Sequence, residues 1–173
     1  VVMKAAGGEL EHKSEVGGVI LNIRSDAEAG HAAQRLGLIS DEVLVEEMIT
    51  DGVAEVLIGI TVDAQFGQVL VLGSGGVLTE LWQDSHSLLP PWSRDRVDAA
   101  LGTLKVARLL DGFRGKPRGD RAALLDNVMA VAAYARAHES RLLEIDVNPL
   151  IVRPEGRGAV AVDALIRLTE EKE

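Results

Sequence analysis

The sequence predicts an α+β fold, an antiparallel sheet with flanking helices, on three observations. Strand-like apolar runs outnumber helical ones. They come in the order strand, helix, three strands, helices, hairpin, and do not alternate as in a parallel α/β fold. Gly-rich or Asp-Gly turns separate several of them, as antiparallel neighbours require.

Residues 1–4 and 16–24 are rich in β-branched and apolar side chains and are punctuated by Gly7-Gly8 and Gly17-Gly18. They read as strands around a mobile Gly-rich loop. Ser25 before Asp26-Ala27-Glu28-Ala29 supplies an N-cap and an acidic first turn for a helix of about three turns ending at Gly37. Residues 43–48 and 53–62 read as strands with Asp51-Gly52 as the turn between them. Residues 69–72 and 77–82, joined through Gly73-Ser74-Gly75-Gly76, read as a further hairpin of the same sheet. Pro90-Pro91 ends that segment, and a helix capped by Ser93 or Asp95 should then reach Leu110, followed by the loop Arg114-Gly115-Lys116-Pro117. Asp120 opens the most helical stretch, in which Ala122, Leu125, Val128, Met129, Ala132 and Ala133 recur every three or four residues to His138. Residues 142–152 and 159–165 are apolar strands joined by Pro154-Glu155-Gly156-Arg157-Gly158, and residues 170–173 form a charged end. The opening Val1-Val2-Met3-Lys4 reads as a strand already under way, which implies a fragment.

Composition narrows the function. The 173 residues are 47% apolar and 26% charged, the balance of a globular chain, and 18 Lys+Arg stand against 27 Asp+Glu for a net charge of -9. A surface that acidic repels nucleic-acid phosphates and anionic lipid unless its cations are clustered, so neither is an expected partner. The absence of cysteine removes disulfides, thiolate metal sites and Cys nucleophiles. No apolar run reaches the roughly 18 residues of a membrane span, and the start lacks the order of a signal peptide, so a soluble, cytoplasmic protein is expected.

The stretch Glu144-Ile145-Asp146-Val147-Asn148-Pro149-Leu150 carries the most chemistry. A period of two places Glu144, Asp146 and Asn148 on one face of a strand, and Asp163 in the next strand adds another oxygen. Such a row faces either water, as on the polar side of an edge hairpin, or a hard cation such as Mg²⁺. Gly73, Gly75 and Gly76 let backbone amides form an anion-binding concavity or simply a tight turn. His12 lies between Gly pairs beside Lys13, and its imidazole is a competent nucleophile.

The same strand, with Val160-Ala161-Val162-Asp163, resembles the magnesium hairpin of the ATP-grasp fold, in the branch of nucleoside-diphosphate-forming acyl-CoA synthetases that includes the beta subunit of ADP-forming acetyl-CoA synthetase. The resemblance continues in order through His12-Lys13-Ser14-Glu15-Val16-Gly17-Gly18-Val19, Val45-Glu46-Glu47-Met48, Asp63-Ala64-Gln65-Phe66-Gly67 and Gly73-Ser74-Gly75-Gly76-Val77. The succinyl-CoA synthetase beta subunit is similar at lower resolution.

That resemblance implies an ATP-grasp domain truncated at its N-terminus, with residues 1–62 as part of a nucleotide-hinge lobe and residues 63–173 as a C-terminal lobe bearing the Mg²⁺ hairpin. It implies Asn148 and Asp163 as Mg²⁺ ligands, with Asp146 either a further ligand or a group supporting them, and Lys4 as a phosphate contact. The backbone of Glu46, Glu47 and Met48 would meet the adenine, Glu55 the ribose, and Gly73, Gly75 and Gly76 the nucleotide phosphates. His12 would be a transient phosphoryl carrier, in a ligase that interconverts acyl-CoA, ADP and phosphate with a carboxylic acid, CoA and ATP through an acyl phosphate. CoA would bind a domain or subunit absent from this chain, in a homo- or hetero-oligomer. The alternative is a nucleotide-binding regulatory module of a larger protein such as an acyltransferase. The run Ala6-Gly7-Gly8-Glu9-Leu10-Glu11 and Ser85-His86-Ser87 depart from the family pattern. Glu80 and Asp84 match acidic positions without an assigned role, and His31, His86 and His138 receive no function.

Overall fold

A computed structural model describes residues 1–7, 16–76 and 84–169. The strand expected at 77–82 and the charged end at 170–173 lie outside the described residues. The chain divides into two compact units, Val1–Thr50 and Asp51–Glu173.

The first unit holds strands β1 (Val2–Ala6), β2 (Val19–Ile20) and β3 (Glu42–Glu46) and helix α1 (Asp26–Leu36). Its antiparallel sheet has the order β2-β1-β3. Ser25 caps α1 by accepting a hydrogen bond from the Glu28 amide at 3.3 Å. Met3 and Ala5 pack with Ile23, Ala32 and Leu36, so the alternate residues Val2 and Lys4 occupy the other face of β1. The long strand expected at 16–24 shrinks to two residues because Gly17 (φ 73) and Asn22 (φ 60) turn the backbone out of the extended region.

The second unit contains β4 (Ala54–Asp63), β5 (Gly67–Ser74), β6 (Ser85–Leu88), β7 (Leu142–Val152), β8 (Ala159–Ala161) and β9 (Ala164–Leu168), with helices α2 (Arg94–Thr103), α3 (Ala107–Leu110) and α4 (Arg121–Ala137). Every described pairing is antiparallel, in the order β6-β5-β4-β7-β8, with β9 also on β7. The β4–β5 hairpin closes where Asp63 Oδ1 accepts from the amides of Gln65 (2.7 Å) and Phe66 (2.8 Å), and Gly67 takes φ 71. Val56, Ile58, Ile60, Leu70 and Leu72 face Val97, Leu101, Leu124, Val128 and Ala132 in one core. Each such Val, Leu or Ile side chain contributes roughly 1.5–3 kcal/mol by leaving water.

The α+β class and antiparallel pairing hold, and several details are corrected. Asp51-Gly52 is not a hairpin turn: β3 pairs with β1, whereas β4 pairs with β5 and β7. The reason is burial, since the inward face of β4 is sealed while Leu44 and Val45 of β3 stay exposed. The boundary between the two compact units falls between Thr50 and Asp51. The helix expected from 93 to 110 breaks at Leu104, which is extended (ψ 151). The final strand splits at Val162-Asp163 into β8 and β9, which pair with opposite ends of β7. The hairpin strand β7 is therefore interior, held by β4 on one side and by β8 and β9 on the other. No helix among the described residues is long and apolar enough to cross a membrane.

Candidate functional site

The second unit gathers its polar residues on the sheet face turned away from the helices. Ile145 and Val147 are buried against the core, so Glu144, Asp146 and Asn148 project oppositely. Asp146 lies across from Gly59 on β4 and Leu165 on β9, and Glu144 from Thr61 and Arg167. A register shift between Val56 and Ile58 leaves Asn148 and Pro149 as a bulge, after which Leu150 and Val152 are the buried residues. The bulge thereby aims Asn148 away from the ordinary ladder. Its backbone amide donates to Asp163 O at 3.1 Å and its side-chain Oδ1 accepts from the Gly76 amide at 2.9 Å.

Asn148 thus fastens the turn Gly73-Ser74-Gly75-Gly76 to the acidic strand. Gly75 donates to Glu55 O at 2.8 Å, and a Cβ there would sit 2.7–2.9 Å from the Val56 backbone, an approach only glycine allows. Gly76 has φ 62, a conformation that favours glycine, and a Cβ on it would meet the Glu55 carboxylate. Glu55 shares the outer face of β4 with Gly59, so its carboxylate stands beside the glycine turn on the same side as Asp146. Although Glu55 keeps solvent access, the surrounding protein pushes its carboxyl above the usual range.

Asp146 is raised as well, first by burial and then by the neighbouring charges of Glu144 and Asp163. These carboxylates therefore sit close enough to repel, and Glu144 has a cationic neighbour in Arg167 at 3.6 Å. Among the described residues no group of three His, Cys, Asp or Glu side chains forms a metal cage by itself. Crowded carboxylates plus an amide oxygen, short of a full cage, match the habit of Mg²⁺, which takes one or two carboxylates and completes its shell with water and phosphate. The donor set fits the ion.

In the first unit, Lys4 pairs in register with Leu44, and Glu46 lies two residues along on the same face. Lys4 is buried, and its Nζ forms an ion pair with Glu46 Oε2 at 2.5 Å. Glu46 pairs with Val2, while Glu47 and Met48 follow the end of β3 and have no backbone partner among the described residues. Their amides and carbonyls remain able to meet a ligand edge.

The sequence-predicted residues thus form two sets: Lys4, Glu46, Glu47 and Met48 in one unit, and Glu55, Gly73, Gly75, Gly76, Asp146, Asn148 and Asp163 in the other. His12 and Glu80 lie outside the described residues. Asp84, whose role the sequence left open, binds the glycine turn: its Oδ2 accepts from Ser74 Oγ at 2.9 Å and from the Lys105 amide at 2.7 Å, and its carbonyl accepts from the Ser74 amide. Its acidic position after the turn was visible in sequence, but its partner 21 residues on was not.

Residues 1–168 match the ATP-grasp domain family model. The chain is 38% identical over 96% of its length to the trans-feruloyl-CoA synthase FCS1 of an unknown prokaryote, and covers 24% of that protein. It is 32% identical to the ADP-forming acetate–CoA ligase II subunit beta of Pyrococcus furiosus, covering 97% of this chain and 75% of the subunit. Among solved structures, the acetyl-coenzyme A synthetase 1 of Ca. Korarchaeum cryptofilum, in complex with coenzyme A and Mg-AMPPCP and with its phosphohistidine segment pointing towards the nucleotide site, superposes with a TM-score of 0.81 at 33% identity, over 97% of this chain and 76% of that one. The chain spans about a quarter of the first relatives it matches, 24% and 25% of their lengths.

Proposed function

Because the chain belongs to the ATP-grasp domain family, in the branch of the ADP-forming acetate–CoA ligase beta subunits, we propose that it is the nucleotide-binding part of an acyl-CoA synthetase of that type. The complete enzyme would convert acyl-CoA, ADP and phosphate to carboxylic acid, CoA and ATP. The observation that carries this reading is the outer sheet face, where Asp146, Asn148 and Asp163 adjoin the glycine turn and Glu55.

In this reading Asp146 and Asp163 hold Mg²⁺ with the Asn148 side chain, which also fixes the glycine turn. When bound, the ion neutralises phosphate charge during transfer. Gly73, Gly75 and Gly76 present backbone to the phosphates, Lys4 supplies a compact positive charge, Glu46 to Met48 offer backbone to the adenine, and Glu55 accepts from the ribose hydroxyls. In the reverse, ATP-consuming direction a His12 imidazole nitrogen takes the γ-phosphoryl group, releasing nucleoside diphosphate, and passes it to a carboxylate oxygen of the acid; the acyl phosphate so formed gives its acyl group to CoA and releases phosphate. CoA binds in a domain or subunit outside this chain, within a cytoplasmic oligomer.

The test is incubation of the full-length protein with γ-labelled ATP and Mg²⁺, followed by peptide mapping. Label should appear on His12 and be absent from His12→Asn. Unlabelled wild type that still binds ATP overturns the relay and favours a nucleotide-binding regulatory module.

A further inference from the structure

Although the chain carries a net charge of -9, its cations are unevenly placed: residues 36–93 contain no lysine or arginine, whereas residues 105–118 contain five against the single acid Asp111. Of the eight other arginines in the second unit five pair with a carboxylate, Arg94 with Asp126, Arg121 with Asp98, Arg153 and Arg157 with Asp51, and Arg167 with Glu144. Arg108, Arg114, Lys116 and Arg118 are exposed and have no carboxylate partner among the described residues.

These cations form one face. Arg108 lines two adjoining depressions, of about 440 and 390 Å³. Phe113 and Leu109 wall the smaller one. Phe113 remains 45% exposed, and the Arg114 guanidinium lies over its ring at 5.2 Å. Lys116 and Arg118 come back beside Gly112, whose φ of 87 folds the loop on itself. The face is thus an exposed apolar centre rimmed by unpaired positive charge, the anatomy of a protein-binding patch, and its depressions are open and shallow.

We propose that residues 105–118 dock an acidic polypeptide surface belonging to the CoA-binding part of the same enzyme. This rests on the functional reading above. Two facts select the occupant. The chain spans about a quarter of the first relatives, so a protein of that length has further polypeptide with which to cover this face. An acidic chain that leaves unpaired cations on one face also complements negative charge there and repels it elsewhere, which fixes both partner and orientation.

The test is chemical footprinting of Lys116 with an amine-reactive reagent, in the full-length protein together with its CoA-binding subunit should that be a separate polypeptide. At low salt Lys116 should react several-fold more slowly than in about 1 M NaCl, where screening acts beyond only about 3 Å. In R108E/R114E it should react fast at both salts while the thermal midpoint stays that of wild type. The conservative R108K/R114K should restore protection. Lys116 equally reactive at all salts in wild type overturns the proposal. So does protection that appears only on adding CoA or nucleotide, which would make the face a small-anion site. The readout is independent of turnover: absence of label on His12 refutes the enzymatic reading and leaves this one measurable.

Discussion

Asp120 offers the sharpest check on how the fold carries the site. Its carboxylate does two tasks: Oδ1 accepts from the Ala123 amide at 3.0 Å, capping α4, and Oδ2 accepts from the Gly158 amide at 2.9 Å, holding the loop between β7 and β8. The cap is worth about 1 kcal/mol and a hydrogen bond to a charged acceptor roughly 1.5–3 kcal/mol. Asp120→Ala should therefore cost about 2–4 kcal/mol, or roughly 5–15 °C in thermal midpoint for a chain of this size. Asp120→Asn should fall between wild type and Asp120→Ala, because its amide can cap through oxygen but then turns a donor toward the Gly158 N–H. Those hydrogen bonds hold the Asp120 carboxyl below the usual range. A depressed folded pKa means that its contribution is complete above the ordinary carboxylate range and disappears as pH falls through the folded value. Calorimetry from pH 7 to pH 3 should show Asp120→Ala losing less stability on acidification than wild type. Equal midpoints for wild type and Asp120→Ala at pH 7 would refute the reasoning.

Other perturbations read the site directly. Asp146→Asn removes one of three crowded carboxylates, so its melting temperature should rise in chelator while the stabilisation that millimolar Mg²⁺ and ADP give the wild type is lost, as scanning fluorimetry would show. Gly75→Ala forces a methyl against the Val56 backbone and should destabilise by about 1–3 kcal/mol and weaken nucleotide binding, checked by denaturant titration and calorimetry. Asp84→Ala should loosen the glycine turn and raise the KM for ATP, with partial rescue by Asp84→Asn. Gln68→Leu removes one of two donors to the Ala135 carbonyl, which accepts from Gln68 Nε2 at 2.7 Å and from the His138 amide at 3.3 Å, and should cost about 0.5–1.5 kcal/mol in urea unfolding.

Local chemistry made much of this legible in sequence. Ser25, Ser93 and Asp120 cap the helices that their positions announced, and the alternation from Glu144 to Asn148 set those side chains on one face. Long-range pairing was the part that residues alone did not encode. Asp51-Gly52 carries a hairpin signature, yet burial of β4 between β5 and β7 decides its partners. Leu104 is apolar at helical spacing and so hid the break between α2 and α3, which Gly102 marks two residues earlier. The bulge at Asn148 and the ties from Asn148 to Gly76 and from Asp84 to Lys105 depend on strands brought together from far apart.

Charge placement links the site to the form in which a nucleotide can enter it. A free polyphosphate approaching the outer face of the second unit meets Glu55, Glu144, Asp146 and Asp163, while residues 36–93 supply no lysine or arginine at all. Two of those carboxyls already bind their protons more tightly than usual, Glu55 through burial and Asp146 through burial and like charge. Adding phosphate charge there without a counter-ion compounds that repulsion, whereas a divalent cation carried on the phosphates turns the same carboxylates into ligands. On the proposed reading the acidic face disfavours metal-free nucleotide by repelling its phosphates. ATP in chelator should bind far more weakly than ATP with Mg²⁺. Asp146→Asn should narrow that gap from both ends, tightening the metal-free complex and loosening the metal-bound one.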